Sequence, residues 1–176
     1  KLIKQILSKV GCDVLGGSKL PPPNAMIEVP NLVEAVRQMI EADGYQHDRP
    51  WMYKAVKLAL LWPTFANAFP KAKWVIVRRE KSDIIDSCLR TRFMKVHSTD
   101  RRFWGAFVDE YIIRLNALQG SGAQVYEVWS QDVINGEFKA LRKLVDALGL
   151  EYRERELREF VAPEFWHGNS VRESGR

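Results

Sequence analysis

Apolar positions along the chain recur at helical spacing in most places and as short continuous runs in three. Leu2, Ile3, Ile6, Leu7 and Val10 predict a first helix stopped by Gly11. Gly16, Gly17 and Pro21-Pro22-Pro23-Asn24 read as a loop. Val33, Val36, Met39 and Ile40 line a second helix that ends near Gly44, with Asn31 and Glu34 as a capping-box pair. Trp51, Met52 and Tyr53 predict a short strand ending at Lys54. Leu58, Leu61, Trp62 and Phe65 predict a helix whose regularity Pro63 limits. Trp74, Val75, Ile76 and Val77 form a β-branched run, the pattern of a strand covered on both faces. Ile84, Ile85, Cys88 and Leu89 then give a helix its apolar face, with Ser82 as N-cap and Asp83 at its positive end.

Further on, Phe103, Phe107, Tyr111, Leu115 and Leu118 make a core stripe, and Gly120-Ser121-Gly122 a turn. Val125, Tyr126, Val128 and Trp129 predict another strand. Asp132 caps a helix carrying Ile134, Phe138, Leu141, Val145 and Leu148, stopped by Gly149. Residues 151–159 are charged enough for a solvated helix, and the segment from Pro163 onward is irregular. Strands alternating with helices predict an α/β class: a three-layer α/β/α sandwich with a mainly parallel sheet, P-loop NTPase-like, built as a single domain over residues 1–176. About three strands are visible, so the sheet is expected to gain one from upstream. The first helix starts at residue 1 without a cap, which points the same way.

Composition narrows the class. Hydrophobic residues make up 46% of 176, with six Trp and eight Phe, so the chain can fill a core. The net charge of +5 suits an anionic ligand, nucleic acid or a merely basic surface. Cys12 and Cys88 form neither a metal-ligand pattern nor a disulfide framework, which favours a reducing, cytoplasmic compartment. No apolar run is long enough to span a membrane, and KLIKQILSKV lacks a signal-peptide core.

The chemistry concentrates between Lys73 and Arg92. Arg79 follows the apolar strand at its carboxyl end, and Ser87 lies just over one turn into the next helix. Open α/β sheets bind ligands at the carboxyl ends of strands. An arginine fork with a serine hydroxyl suits a phosphate. The competing reading is a solvent-facing Arg and an incidental Ser. His47, in the loop 45–50, is a candidate base by its chemistry, or an ordinary exposed histidine.

FPKAKWVIVRREKSDIIDS, residues 69–87, resembles the 3'-phosphate-binding segment of the sulfotransferases that use 3'-phosphoadenosine 5'-phosphosulfate (PAPS). Phe69, Pro70, Ala72, Lys73, Arg79, Asp83 and Ser87 carry the likeness, and Lys81 stands where that family often has Pro. The resemblance implies that Arg79 and Ser87 hold the 3'-phosphate. It implies an upstream strand and a Lys-Ser-Gly-Thr type loop for the 5'-phosphosulfate, of which Lys1 would be a remnant. Asn24 and Glu28 resemble an Asn…Glu segment of some bacterial members, making Glu28 a candidate general base, against a plain surface Glu. Trp51 to Lys54 resembles a strand-end Trp-x-x-Lys, with Ala55-Val56 in place of the frequent Asp-Pro; Lys54 would approach sulfuryl or phosphate oxygens. Leu148-Gly149-Leu150 matches a helix ending, while Trp129-Ser130-Gln131-Asp132 replaces the usual Tyr-Glu-Asp. Arg172 is the residue left to act as the basic C-terminal grip on the 3'-phosphate.

The implied activity is transfer of a sulfuryl group from PAPS to a hydroxyl or amine of a small-molecule or glycan acceptor. The products are the sulfated acceptor and adenosine 3',5'-bisphosphate, and no metal is required. Two alternatives stand beside it. One is another P-loop-type nucleotide-dependent transferase or kinase, which needs a Gly-x-x-x-x-Gly-Lys-Ser/Thr loop that this sequence does not show. The other, ranked last, is a non-catalytic nucleic-acid binder using the basic 90–102 segment.

Overall fold

The structure, a computed structural model, describes residues 2–9 and 20–161. In chain order it holds α1 (Leu2–Lys9), α2 (Leu32–Ala42), a 3₁₀ helix (Val56–Leu60), α3 (Trp62–Ala68), β1 (Trp74–Arg78), α4 (Lys81–Arg90) and α5 (Arg92–Lys95). There follow α6 (Arg101–Gln119), β2 (Val125–Trp129), α7 (Ser130–Ile134), α8 (Lys139–Leu148) and α9 (Glu154–Phe160). The class is mixed α/β, and the described residues form one parallel sheet of two strands. The chain divides into two compact units: Lys1–Ala72 with Asp109–Ala123, and Lys73–Val108 with Gln124–Arg176. The first half of α6 belongs to the second unit and its second half to the first.

In the first unit the buried apolar residues are Ile3, Ile6 and Leu7 of α1, Leu32 and Val36 of α2, Ala59 to Trp62 and Phe65 around α3, and Leu118 of α6. Side chains of α3 and α6 fasten the proline-rich loop. Trp62 Nε1 donates to the Pro23 carbonyl at 2.9 Å. Thr64 Oγ1 accepts from Ile27 N–H at 2.9 Å and donates to Ile27 O at 3.0 Å. Arg114, only 1% exposed, donates to the Pro21 carbonyl and pairs with Glu110 one turn earlier at 2.5 Å. Each bond satisfies a loop carbonyl or amide that has no partner in regular structure.

Several local expectations change here. Trp51 to Tyr53 is irregular backbone and not a strand. Trp51 packs edge-on against Phe69 and Tyr53 stacks nearly parallel to Phe65, so tertiary aromatic contacts override the β propensity of the run. Asn31 is not a side-chain cap: it sits at φ 56, and Glu34 turns to Arg37 and Gln38 one turn on. Pro63 is the second residue of α3 and does not interrupt it, since a proline N–H is dispensable in a first turn.

In the second unit β1 and β2 pair in register from Trp74 opposite Val125 to Arg78 opposite Trp129. Ile76 is 3% exposed, whereas Val75 is 42% and Val77 67% exposed. The strand is therefore covered on one face, not on both; side-chain alternation puts the two valines on the other. β2 packs against α7 and α8, and Ile85, Cys88, Trp104, Val108, Val128, Phe138 and Leu144 complete the core. The buried stripe of α6 runs Trp104, Val108, Arg114 and Leu118, with Phe103, Phe107, Tyr111 and Leu115 half-buried beside it. Apolar residues on adjacent helix rows left that choice to packing.

Helix ends differ from expectation in two places. Glu80, not Ser82, precedes α4, and Asp132 lies within α7 while Phe138 precedes α8. Gly149 does stop α8, at φ 69, where a left-handed residue lets Leu150 N–H reach Val145 O at 3.0 Å. Lys73 adds its ammonium to the same end, donating to Ala147 O at 2.5 Å.

Burial pushes the Tyr111 phenol up to about 12 against the opposing charge of Arg114. An unfolded chain releases that proton near pH 10. Stability from this group is therefore complete below pH 10 and declines as pH rises toward 12. Urea titrations between those pH values should show a shallower decline in Tyr111→Phe than in the wild type; equal slopes would exclude Tyr111 as a source of alkaline lability.

Candidate functional site

Arg79 is the first residue beyond β1, and α4 starts two residues later. It thus lies at the strand–helix turn on the carboxyl end of a parallel strand, the position expected of it. Its side chain is half-buried, with Nε buried. Ser87 is the seventh residue of α4 and half-buried. That places it nearly two turns along the helix, about 9 Å from its start, deeper than a cap at Ser82 implied. Asp83 is buried in the first turn of the same helix. The Ser87 carbonyl accepts from both Thr91 N–H (3.0 Å) and Thr91 Oγ1 (2.7 Å), which closes α4 before α5 begins.

The two consecutive arginines have separate positions. Arg78 is the last residue of β1, and its Nε donates to Glu127 Oε2 at 3.0 Å across the sheet. Trp129 Nε1 donates to the other carboxylate oxygen, Oε1, at 3.0 Å. The Arg78 side chain is 11% exposed and Glu127's 27%, so the pair is substantially removed from water. This triad pins the carboxyl ends of β1 and β2. Arg79 lies just outside the strand, in the turn into α4. Sequence reasoning missed Glu127. Its signal was a single carboxylate inside the apolar strand VYEVW, a residue type rarely buried without a cation.

Glu28, His47 and Lys54 all belong to the first unit, and Arg79 and Ser87 to the second. Each of the three is exposed. Glu28 follows Ile27, whose backbone Thr64 clamps, so its Cα is fixed while its carboxylate faces water. His47 adopts φ 60 in the loop after α2. Its Nε2 lies 2.8 Å from Glu41 Oε1, and Tyr45 stacks edge-on against its ring. The His47 hydrogen bond, then Arg37, holds the Glu41 carboxyl below the ordinary carboxylate range. Lys54 sits on irregular backbone, so the strand-end placement expected of it does not occur. His47 is bonded to Glu41, and not to Glu28 or Lys54. Arg172 and Cys12 lie outside the described residues.

Cys88 is buried in α4, and burial pushes its thiol up, which makes it a packing residue rather than a nucleophile. Among the described residues no three His, Cys, Asp or Glu side chains converge as a metal site would require. No helix among them is long and apolar enough to cross a membrane.

Removing Glu127 takes a carboxylate partner from the Arg78 guanidinium in a partly dry site. Glu127→Ala should cost about 2–3 kcal/mol, at the lower edge of a fully buried pair because Glu127 keeps some water contact. Arg37→Ala breaks the exposed Glu34 and Glu41 pairs, which water and salt screen, and should cost much less. Denaturant midpoints for the two variants would measure this; equal losses would mean that Arg78 is solvated without Glu127.

No protein-family model, no curated protein and no solved structure matches the chain.

Proposed function

We propose that the chain belongs to a PAPS-dependent sulfotransferase and that its β1–α4 turn holds the 3'-phosphate of the nucleotide. The observation that carries this reading is the placement of Arg79 directly after a parallel strand and before α4, with Ser87 on that helix. A planar guanidinium and a hydroxyl are a donor set suited to phosphate oxygens. Arg79, at the strand–helix turn with Ser87 on the helix that follows, is the arginine this reading assigns to the phosphate. The two-stranded parallel sheet is, in this reading, part of a three-layer P-loop-like sandwich.

Sulfuryl transfer is an in-line displacement: an acceptor hydroxyl or amine attacks sulfur, a base takes its proton, and adenosine 3',5'-bisphosphate departs. Glu28 and His47 have the chemistry of the base, with His47 oriented by Glu41; Lys54 suits the sulfuryl oxygens. Arg79 and Ser87 position the nucleotide and need not touch the reacting sulfur.

Calorimetric titration with adenosine 3',5'-bisphosphate tests the reading. The wild type should bind it and discriminate against AMP, which lacks the 3'-phosphate. Arg79→Ala should weaken binding roughly tenfold to hundredfold, the scale of a lost charge-assisted hydrogen bond. Ser87→Ala should weaken it by roughly fivefold. Equal affinity for the bisphosphate and AMP, or an Arg79→Ala variant that binds as the wild type does, would sink the assignment.

A further inference from the structure

We propose that the corner formed by α5 and its flanks is an attachment surface for an anionic lipid bilayer. This rests on different observations from the nucleotide site and stands independently of it. Phe93 is 70% and Val96 80% exposed, three residues apart and therefore on the same side of one helical turn. Cations surround them. Residues 90–102 hold Arg90, Arg92, Lys95, Arg101 and Arg102 against the single acid Asp100, with His97 between them. Five cations against one acid account for nearly all of the chain's net charge of +5, so the rest of the sequence is almost neutral. Arg90, Arg92, Lys95, His97 and Arg102 are exposed.

The acids near this corner are committed to structure. Asp86 pairs with Arg101. Asp100 Oδ1 accepts the Arg102 N–H at 2.9 Å and so caps α6. The corner itself is held firmly. Thr91 O accepts from Met94 N–H and Lys95 N–H, each at 3.1 Å, and His97 N–H reaches Met94 O at 2.9 Å. Trp104, fully buried, donates Nε1 to Ser98 O at 3.0 Å and anchors the far side of the segment. Phe93 and Val96 are thus presented on an ordered turn.

A bilayer interface matches this combination. Anionic headgroups attract lysines and arginines, and the acyl boundary takes up the aromatic ring and the aliphatic side chain. A polyanion such as nucleic acid would satisfy the cations, and its bases would stack on Phe93, but it offers no place for Val96.

Co-sedimentation with phosphatidylcholine vesicles, with and without phosphatidylserine, tests the proposal on the intact chain. The protein should pellet with the phosphatidylserine vesicles and stay in the supernatant with phosphatidylcholine alone. The pair Arg92→Glu with Lys95→Glu should lower partitioning by about tenfold or more. Phe93→Ser with Val96→Ser, which leaves every charge in place, should lower it by about tenfold. All four residues are exposed, and unchanged far-ultraviolet circular dichroism would verify folding of both variants. Failure to pellet with phosphatidylserine overturns the proposal. So does full retention of binding by the serine variant, which would mean charge attraction without insertion. Tighter binding to a single-stranded oligonucleotide than to the vesicles would assign the corner to nucleic acid.

Discussion

Parallel pairing of β1 with β2 is the constraint on which the second unit depends. Parallel strands cannot be joined by a tight turn, so the chain must travel between Arg78 and Val125 before pairing again. That necessity sets both carboxyl ends on one side of the sheet, where strand–helix turns follow. The Arg78–Glu127–Trp129 triad lies at that end. It fixes the strands against each other at the end where β1 gives way to the turn into α4. An ion pair of this kind contributes modestly to net stability, since desolvation offsets much of its attraction. Its larger effect is geometric: it ties the last residue of β1 to the neighbouring strand.

The first unit is held by a different device. Its long proline-rich loop has no ladder to satisfy its carbonyls, and three side chains from helices supply the donors instead: Trp62, Thr64 and Arg114. Arg114 is the costly one, a guanidinium with almost no solvent contact, kept there by Glu110 and the Pro21 carbonyl. Charged groups so buried need partners that stay in place, which ties α6 to the order of the loop. Glu28 inherits a fixed backbone from this arrangement.

Surface chemistry shows a separation as well. The exposed ion pairs of α2 and α9 are local, one helical turn apart, and solvate those helices without drawing in other elements. The cations at α5 are instead clustered, with apolar side chains standing among them. Only the second pattern leaves a surface with chemical complementarity to something outside the molecule.

The sequence by itself determined the elements that depend on local spacing. β1, α4, α6 and β2 fall where their periods put them, Gly149 stops α8 as a glycine can, and Arg79 follows its strand, because β-branched runs and helical stripes act over a few residues. The tertiary structure decided what depends on partners far along the chain. Trp51 to Tyr53 had the composition of a strand but found ring partners in Phe65 and Phe69. Val75 and Val77 had the pattern of a strand covered on both faces, yet one face lies open. That Arg78 would meet Glu127, 49 residues further along, followed only from the pairing of β1 with β2. Spacing records the period of an element; it carries no record of what will lie across from it, and that is where side chains acquire their roles.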